Sequence, residues 1–332
     1  MKDVRKQNAR AVSARRTVKR SDDGYYHFRE LSVAAALIMI LLVLAVAAPA
    51  FFEPQPLLSR LSREAPKLVL ACGMTFIILC RHIDISVGSQ FAVCGVCAGL
   101  LAAAKVPLAL CFAGSIGAGV VMGALNGVLV AGLRLPSIVV TLATMVLWRE
   151  GLRLAQQGVF INLPPGVQWF GLSQGAGMSV LIVAAFVLLA VMAWSAKNLA
   201  AGRFVYAVGT DAEAARLAGI SPQRTTFAVF VLMGALSGLA AMMNSVQSQQ
   251  VDPKSGTGLE LNAIAAAVVG GVAVSGGRGS LWGTFVGLLL LATINPALTY
   301  LHVEAYWEKA IQGAIILLAV VADGLRSRRA KN

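Results

Sequence analysis

The chain runs to 332 residues, 58% of them hydrophobic and 13% charged, with a formal net charge of +13 and a mean hydropathy of +0.75. Soluble domains hold about 45–50% apolar residues, so the composition excludes a water-soluble globular protein and predicts an all-α polytopic membrane protein. The basic excess gathers at the two ends and in a few loops, which fits the positive-inside rule better than a nucleic-acid partner.

Residues 1–30 carry nine Lys or Arg and no apolar periodicity, so they read as a basic disordered cytoplasmic tail near anionic headgroups. The first apolar run, 31–52, has the length of a bilayer core, with Pro49 near its far end. It lacks a small-residue cleavage site and is not read as a signal peptide. The polar, proline-bearing stretch 53–67 reads as an outside loop, and its Arg60, Arg63 and Lys67 are the local exception to the charge rule. A short second span, 68–80, ends at Arg81-His82, two members of an interfacial ionic cluster with Asp84. A third apolar stretch then runs to about Ala104.

Between those two spans lies Asp84-x-Ser86-x-Gly88. A carboxylate costs roughly 2.5–3.5 kcal/mol at the centre of a lone membrane helix, so Asp84 must face water, a cation or backbone amides. Two readings stay open: Asp84, Ser86 and Gly88 cap the start of the third span, or Asp84 takes a direct part in a substrate route. The five cysteines fall between Cys72 and Cys111. Cys94-x-x-Cys97 places two thiols on one helix face, but no second pair or histidine completes a metal site, so packing between helices is the reading.

The fourth span, 107–132, carries Gly114, Gly117, Gly119, Gly123 and Gly127, at spacings that let another helix come close. Asn126 is its polar residue. Arg134 and Pro136 mark an inside turn before a fifth span, 136–152, with Thr141 and Thr144. A longer outside loop, 153–178, precedes span six at 179–196.

Residues 197–224 form a polar island between two membrane-length runs, spans six and seven (225–246). Thr210 with Glu213 reads as a capping box. Asp211 and Glu213 lie in the first turn, where the helix dipole favours negative charge. Gly219 supplies a left-handed stop, and Ser221-Pro222 caps the next helix. The prediction is a helix of about eight residues, roughly 12 Å long, far too short to span and free to lie on the membrane surface.

Residues 247–258 read as an outside loop, and span eight is expected over 259–275 with Glu260 and Asn262 at its start. The turn Ser275-Gly276-Gly277-Arg278-Gly279-Ser280 lacks the lysine of a phosphate loop and follows no strand, so it reads as a tight inside turn. Span nine, 281–300, contains Asn295-Pro296, which predicts a kink. Span ten covers 306–322, and 324–332 is a second basic tail. Ten spans put both termini on one side. The N-terminal nine, Arg81, Arg134, four in the island, Arg278 and four at the C-terminus place 20 of the 28 basic residues on that same side, read as the cytoplasm.

The pattern Glu213-Ala214-Ala215-x-x-x-Gly219 resembles the cytoplasmic loop of permease subunits in bacterial ABC importers. With IDISVGS (83–89), PSIVVTLATM (136–145), GLELNAIAAAVVGG (258–271) and SGGRGSLWGT (275–284), the chain resembles the permeases of ribose, xylose, arabinose and galactoside-class sugar ABC importers. Within that class, RHIDISVGS, TGLELNAIAA and AYWEKAIQGAIILLAV look most similar to rhamnose and autoinducer-2 permeases. The resemblance covers residues 68–323, nearly all of a permease domain bounded at 31–323.

That resemblance implies an inner-membrane, multi-pass permease with both termini cytoplasmic. It implies a second permease subunit, identical or related, and a cytoplasmic ABC ATPase with two nucleotide-binding halves docked on the 197–224 coupling loop. It also implies a periplasmic sugar-binding protein that Glu260 and Glu308, near the outer face, would reach. No Walker motif is present, so no catalysis and no cofactor are expected of this chain. The coupling residues are expected to be Asp211, Glu213, Ala215, Arg216 and Gly219. Polar groups at membrane depth, Asn126, Thr141, Asn244, Asn262 and Asn295, are candidates for the translocation path, although each also reads as a helix-to-helix hydrogen bond. The alternative is an ion- or proton-coupled secondary carrier, which needs an acid at a span centre; here the acids cluster at span ends. A membrane-embedded enzyme lacks its motifs: there is no His-Glu-x-x-His and no paired intramembrane aspartates.

Overall fold

The computed structural model describes residues 31–300 and, beyond them, Trp307, Ala310, Ile311, Gly313, Ala314, Leu317 and Val321. The two basic tails, Glu308 and most of the tenth predicted span lie outside the described residues. Apart from one two-residue strand pairing, the regular structure among the described residues is helical. Among the described residues, four helices are long and apolar enough to cross a membrane: Leu108–Gly132, Gln174–Asn198, Pro222–Ser245 and Leu281–Tyr300.

Helix α1 (Leu31–Ala47) stops ahead of Pro49, and a 3-10 turn, Pro49–Phe52, leads into α2 (Pro54–Leu79). The loop expected over 53–67 is thus corrected: it is the first half of α2. Pro54 and Pro56 fall in the first turn, where a missing N–H breaks no intrahelical bond. Ser62, Ala65, Pro66 and Val69 give this polar stretch a buried face, which single-residue polarity hides. The second half of α2 is buried on nearly all sides, as a helix surrounded by others must be. It packs against α6 (Gln174–Asn198), α9 (Pro222–Ser245), α10 (Leu259–Val269) and α11 (Leu281–Tyr300), and Pro296 lies inside α11.

Helix α4 (Leu108–Gly127), extended by a π turn at Val128–Gly132, lies along α9 in the most extensive helix pairing of the fold. Its glycines explain the closeness. A Cβ on Gly119 would strike the carbonyl of Gly234, one on Gly234 would strike the carbonyl of Gly119, and one on Gly123 would strike the carbonyl of Phe230. The backbones therefore touch, as small-residue seams allow. Gly117 lies off this seam, with nothing within 4 Å of its Cβ position.

Helices α3 (Val87–Ala103) and α10 are among those shorter than a span. Helix α3 has 17 residues and α10 has 11, about 25 and 16 Å against a bilayer core of about 30 Å. The span expected over 259–275 is corrected accordingly: Gly271, at φ 100°, ends the helical path, and residues 270–280 form the turn. The segment before α10 reaches into the bundle. Strand β2 (Gln250–Val251) pairs antiparallel with β1 (Ile161–Asn162). Val251 lies against Gly99, and Gly256 against Gly88, so the loop descends almost the length of α3. The first turns of α3 and α10 consequently meet inside the bundle. Helix α5 (Ser137–Gln156) packs on α3.

Candidate functional site

The polar island 197–224 is two helices and not one. Helix α6 continues to Asn198, and α7 (Ala200–Thr210) follows it directly. Helix α8 (Ala212–Leu217) is six residues long, shorter than the eight predicted. Its N-cap is corrected from Thr210 to Asp211. The Asp211 carboxylate accepts from the backbone N–H of Glu213 at 2.9 Å and of Ala214 at 3.0 Å. Thr210 ends α7, and its hydroxyl donates to the Tyr206 carbonyl at 2.8 Å.

With the cap supplied by Asp211, the Glu213 side chain turns to Arg216, which donates to it at 2.6 and 3.0 Å. Arg216 holds the Glu213 carboxyl below its usual range and is itself pushed up by the pair. The far end closes on Gly219 at φ 81°. Ile220 N–H donates to the Ala215 carbonyl and Gly219 N–H to that of Arg216, both at 3.0 Å, the paired bonds of a left-handed helix stop. Ser221 Oγ then accepts from Arg224 N–H at 3.3 Å, with Pro222 opening α9. Ala215 is buried, while Asp211, Glu213, Arg216 and Gly219 are exposed and Leu217 is 78% exposed.

Helix α8 stands on a rigid frame. Arg81, just past α2 and at φ 66°, donates from Nε to the Gly209 carbonyl at 2.6 Å and from Nη2 to the Thr210 carbonyl at 2.5 Å. Gly277 N–H donates to the Leu79 carbonyl at 2.9 Å, and Tyr206 Oη donates to the Gly279 carbonyl at 3.0 Å. A side chain at Gly209 would collide with the Leu79 carbonyl. The end of α2, α7 and the 275–280 turn thus form one block beneath α8. Sequence reasoning counted Arg81 only as a charge and missed α7; the signal was a glycine-rich turn and a basic residue at a helix end, each seeking carbonyls.

A second polar cluster surrounds the start of α3. Asp84 is fully buried. It accepts from Ser86 N–H at 2.9 Å, from Ser86 Oγ at 2.5 Å and from Gln90 Nε2 at 3.2 Å. Ser86 occupies the N-cap position, but its hydroxyl accepts from no backbone N–H of the helix; it accepts instead from the side chains of Gln90, on the same helix, at 2.8 Å and Asn126 at 2.9 Å. Thr144 donates to Asn126 Oδ1 at 3.0 Å, and Thr141 accepts from Ile85 N–H at 3.1 Å. Asn126 and Thr141 therefore tie α4 and α5 to the 83–86 segment. The other path candidates lie elsewhere. Asn244 is half-buried in the last turn of α9. Asn262 and Asn295 line a cavity of about 530 Å³ that Arg60, Glu64 and Lys67 also line. The five do not share one channel wall within this chain. Among the described residues no group of three His, Cys, Asp or Glu is placed to hold a metal ion.

Comparison with known proteins matches residues 57–320 to the family described as "Branched-chain amino acid transport system / permease component". The autoinducer 2 import system permease protein LsrC of Enterobacter sp. (strain 638) is 36% identical over 299 residues, covering 89% of this chain and 87% of that protein. The ribose import permease protein RbsC of Escherichia coli (strain K12) is 32% identical over 300 residues, covering 87% of this chain and 91% of that protein. No solved structure matches.

Proposed function

The chain belongs to the family of branched-chain amino acid transport system permease components, and from that premise we infer that it is the membrane-spanning permease subunit of an ATP-driven importer. The cargo is a monosaccharide or related small polyol crossing the bacterial inner membrane. The family description names amino acids, but the full-length relatives quoted above are permeases for ribose and autoinducer 2, which supports the sugar class. ATP is hydrolysed by a separate cytoplasmic chain with two nucleotide-binding halves. A second permease, identical or related, completes the membrane part, and a periplasmic binding protein delivers the sugar.

One observation carries the coupling role. Helix α8 is stopped at both ends by its own residues, is exposed on three sides, and continues through Ser221-Pro222 into α9. Such a short helix gains little stability alone; mounted on the block of α2, α7 and residues 275–280, it is a rigid grip for an outside protein. Asp211 and Gly219 set its two ends, Glu213 and Arg216 brace each other on its face, and Ala215 seats it. The basic residues of the island and of both tails support a cytoplasmic location for this end, with Lys254 and Glu260 toward the periplasm.

The test is purification and transport. A two-domain ATPase should co-purify with the tagged chain, and sugar uptake in its host should stop with vanadate and survive collapse of the proton gradient. Uptake that follows the proton gradient and ignores vanadate would sink the reading in favour of a secondary carrier.

A further inference from the structure

The cavity that Asn262 and Asn295 line is built of two unlike sides. Leu37 and Leu41 of α1, Phe51, Leu57 of α2, and Leu288 and Leu291 of α11 make an apolar side. Arg60, Arg63, Glu64 and Lys67 make the other. Their spacings of three and four set all four on one stripe of α2. The stripe stops at the middle of the helix, about 18 Å short of Leu79, whose carbonyl is tied to the block under α8. The three cations that stand outside the charge rule are therefore gathered on one cavity, away from α8.

Their charges are not cancelled. Lys67 pairs with Glu64 at 2.6 Å, which leaves Arg60 and Arg63 with no carboxylate partner among the described residues. Arg60 is held by neutral groups instead. It donates from Nη1 to the Phe51 carbonyl at 3.1 Å and from Nη2 to the Tyr300 hydroxyl at 2.8 Å. The Phe51 and Tyr300 rings lie 4.3 and 5.1 Å from its Cζ. The guanidinium is thus fixed in place, half-buried, with the rest of its N–H fork unused. Arg63, one turn on, is exposed.

Two guanidinium groups without an acid match the oxygens of a phosphate, and the leucine side matches hydrocarbon. The volume, about 530 Å³, falls among sites that enclose drug-sized ligands, about 300–1,000 Å³. A bare phosphate has the bulk of only a few waters, at about 30 Å³ each, and would leave the apolar side unfilled. A monosaccharide would bring no charge to Arg60 and Arg63 and would set its hydroxyls against leucine. Phe52 and Leu61, which also line the cavity, are exposed apolar residues, and α11 is long and apolar enough to cross a membrane.

We propose that this cavity binds one anionic phospholipid, its phosphate on Arg60 and Arg63 and an acyl chain along α1 and α11. A lipid so held joins α1, α2 and α11 at the end of the bundle remote from α8.

The experiment uses the full chain, purified from its membrane in neutral detergent. Lipid extracted from the pure protein should contain about one phosphatidylglycerol or other anionic phospholipid per chain. Arg63→Glu, at an exposed position, should lower that amount about fivefold or more, and Arg63→Lys should keep most of it. Arg60 is left in place, because its removal would also loosen Phe51 and Tyr300. Leu41→Trp, half-buried on α1, should fill the apolar side and expel the lipid while both arginines remain. Equal retention by Arg63→Glu and the parent overturns the proposal, as does full retention by Leu41→Trp. Parent protein free of anionic phospholipid overturns it too, which is the result if an acid of the chain itself, such as Glu304 or Glu308, occupies the site. A second measurement separates a lipid head from a free anion. Delipidated parent returned to phosphatidylcholine vesicles containing one fifth phosphatidylglycerol should unfold about 4 °C higher than in pure phosphatidylcholine. Arg63→Glu should show a much smaller rise. Inorganic phosphate that gives the full rise in pure phosphatidylcholine, or a rise equal in Arg63→Glu, overturns the lipid as occupant. None of these readouts needs ATP or sugar, so they fail or stand separately from vanadate-sensitive uptake.

Discussion

Asp211 and Gly219 do different work at the two ends of the same six-residue helix. Asp211→Ala removes both cap bonds, at a cost of about 1 kcal/mol, whereas Asp211→Asn keeps an acceptor and loses a few tenths. Titration of the ATPase subunit onto the purified permease should show weakened binding for alanine and near-normal binding for asparagine. Gly219→Val forces a β-branched residue to a positive φ, which costs roughly 1–2 kcal/mol and shifts a docking equilibrium by about tenfold. Membrane insertion should be kept and ATP-driven uptake lost; full uptake by Gly219→Val would remove the coupling assignment. The Glu213 carboxyl sits below its usual range because of Arg216. A lowered folded-state value means that the pair's contribution is complete above the unfolded value and fades only as pH falls through the folded one. Binding of the ATPase should therefore be flat through neutral pH and weaken only in acid below the ordinary glutamate range, and Glu213→Gln should abolish that acid limb.

Helix pairs make a separate prediction. Gly234→Leu places a side chain against the carbonyl of Gly119 and should lower resistance to detergent unfolding by about 3 kcal/mol, the upper end for overpacking. Gly117→Leu, on the same helix as Gly119 but with open space at its Cβ, should unfold like the parent chain. The glycine spacing of α4 was legible in the sequence as a close-contact face, but which glycines touch is fixed by α9, more than a hundred residues away. The short helix α8 was legible for a similar local reason, since its stop at Gly219 needs no tertiary partner. Its start was not, because Thr210 and Asp211 can both cap and the Thr210–Glu213 spacing pointed to Thr210, whereas Asp211 is the stronger cap and α7 claims the Thr210 hydroxyl. The first half of α2 reads as loop in the sequence: Pro54 and Pro56 stand in the first turn, where a helix tolerates them, Pro66 is carried inside the helix, and the buried face exists only against other helices. Helix α10 was read too long because Gly270-Gly271 sits inside an apolar run whose hydropathy continues past the true stop.

At the scale of the molecule, the described helices meet at two polar centres and one mounting block. The site residues that the sequence offered divide among them: the residues proposed for coupling stay together on and at the two ends of α8, while the five path candidates scatter, since a polar residue in an apolar span does not announce whether it bonds a neighbour or faces a route. Orientation is open to a direct measurement. Leu217→Cys, at the tip of α8, should react with an impermeant thiol reagent in inside-out vesicles only, and bound ATPase should shield it. Reaction in right-side-out vesicles would reverse the assignment of both faces.

The seam in which Gly119 and Gly234 face each other has a mechanical corollary. Two helices joined backbone to backbone behave as one stiff plank. Were an ATPase to act on α8 as proposed above, a tug through Ser221-Pro222 would travel up α9 and take α4 along, and with α4 Asn126, whose amide is fastened to Ser86 beside the buried Asp84. Such a pull, begun at the α8 end, would arrive with little loss to sliding at the start of α3, so the two ends of the bundle would shift as halves of a single rocking stroke.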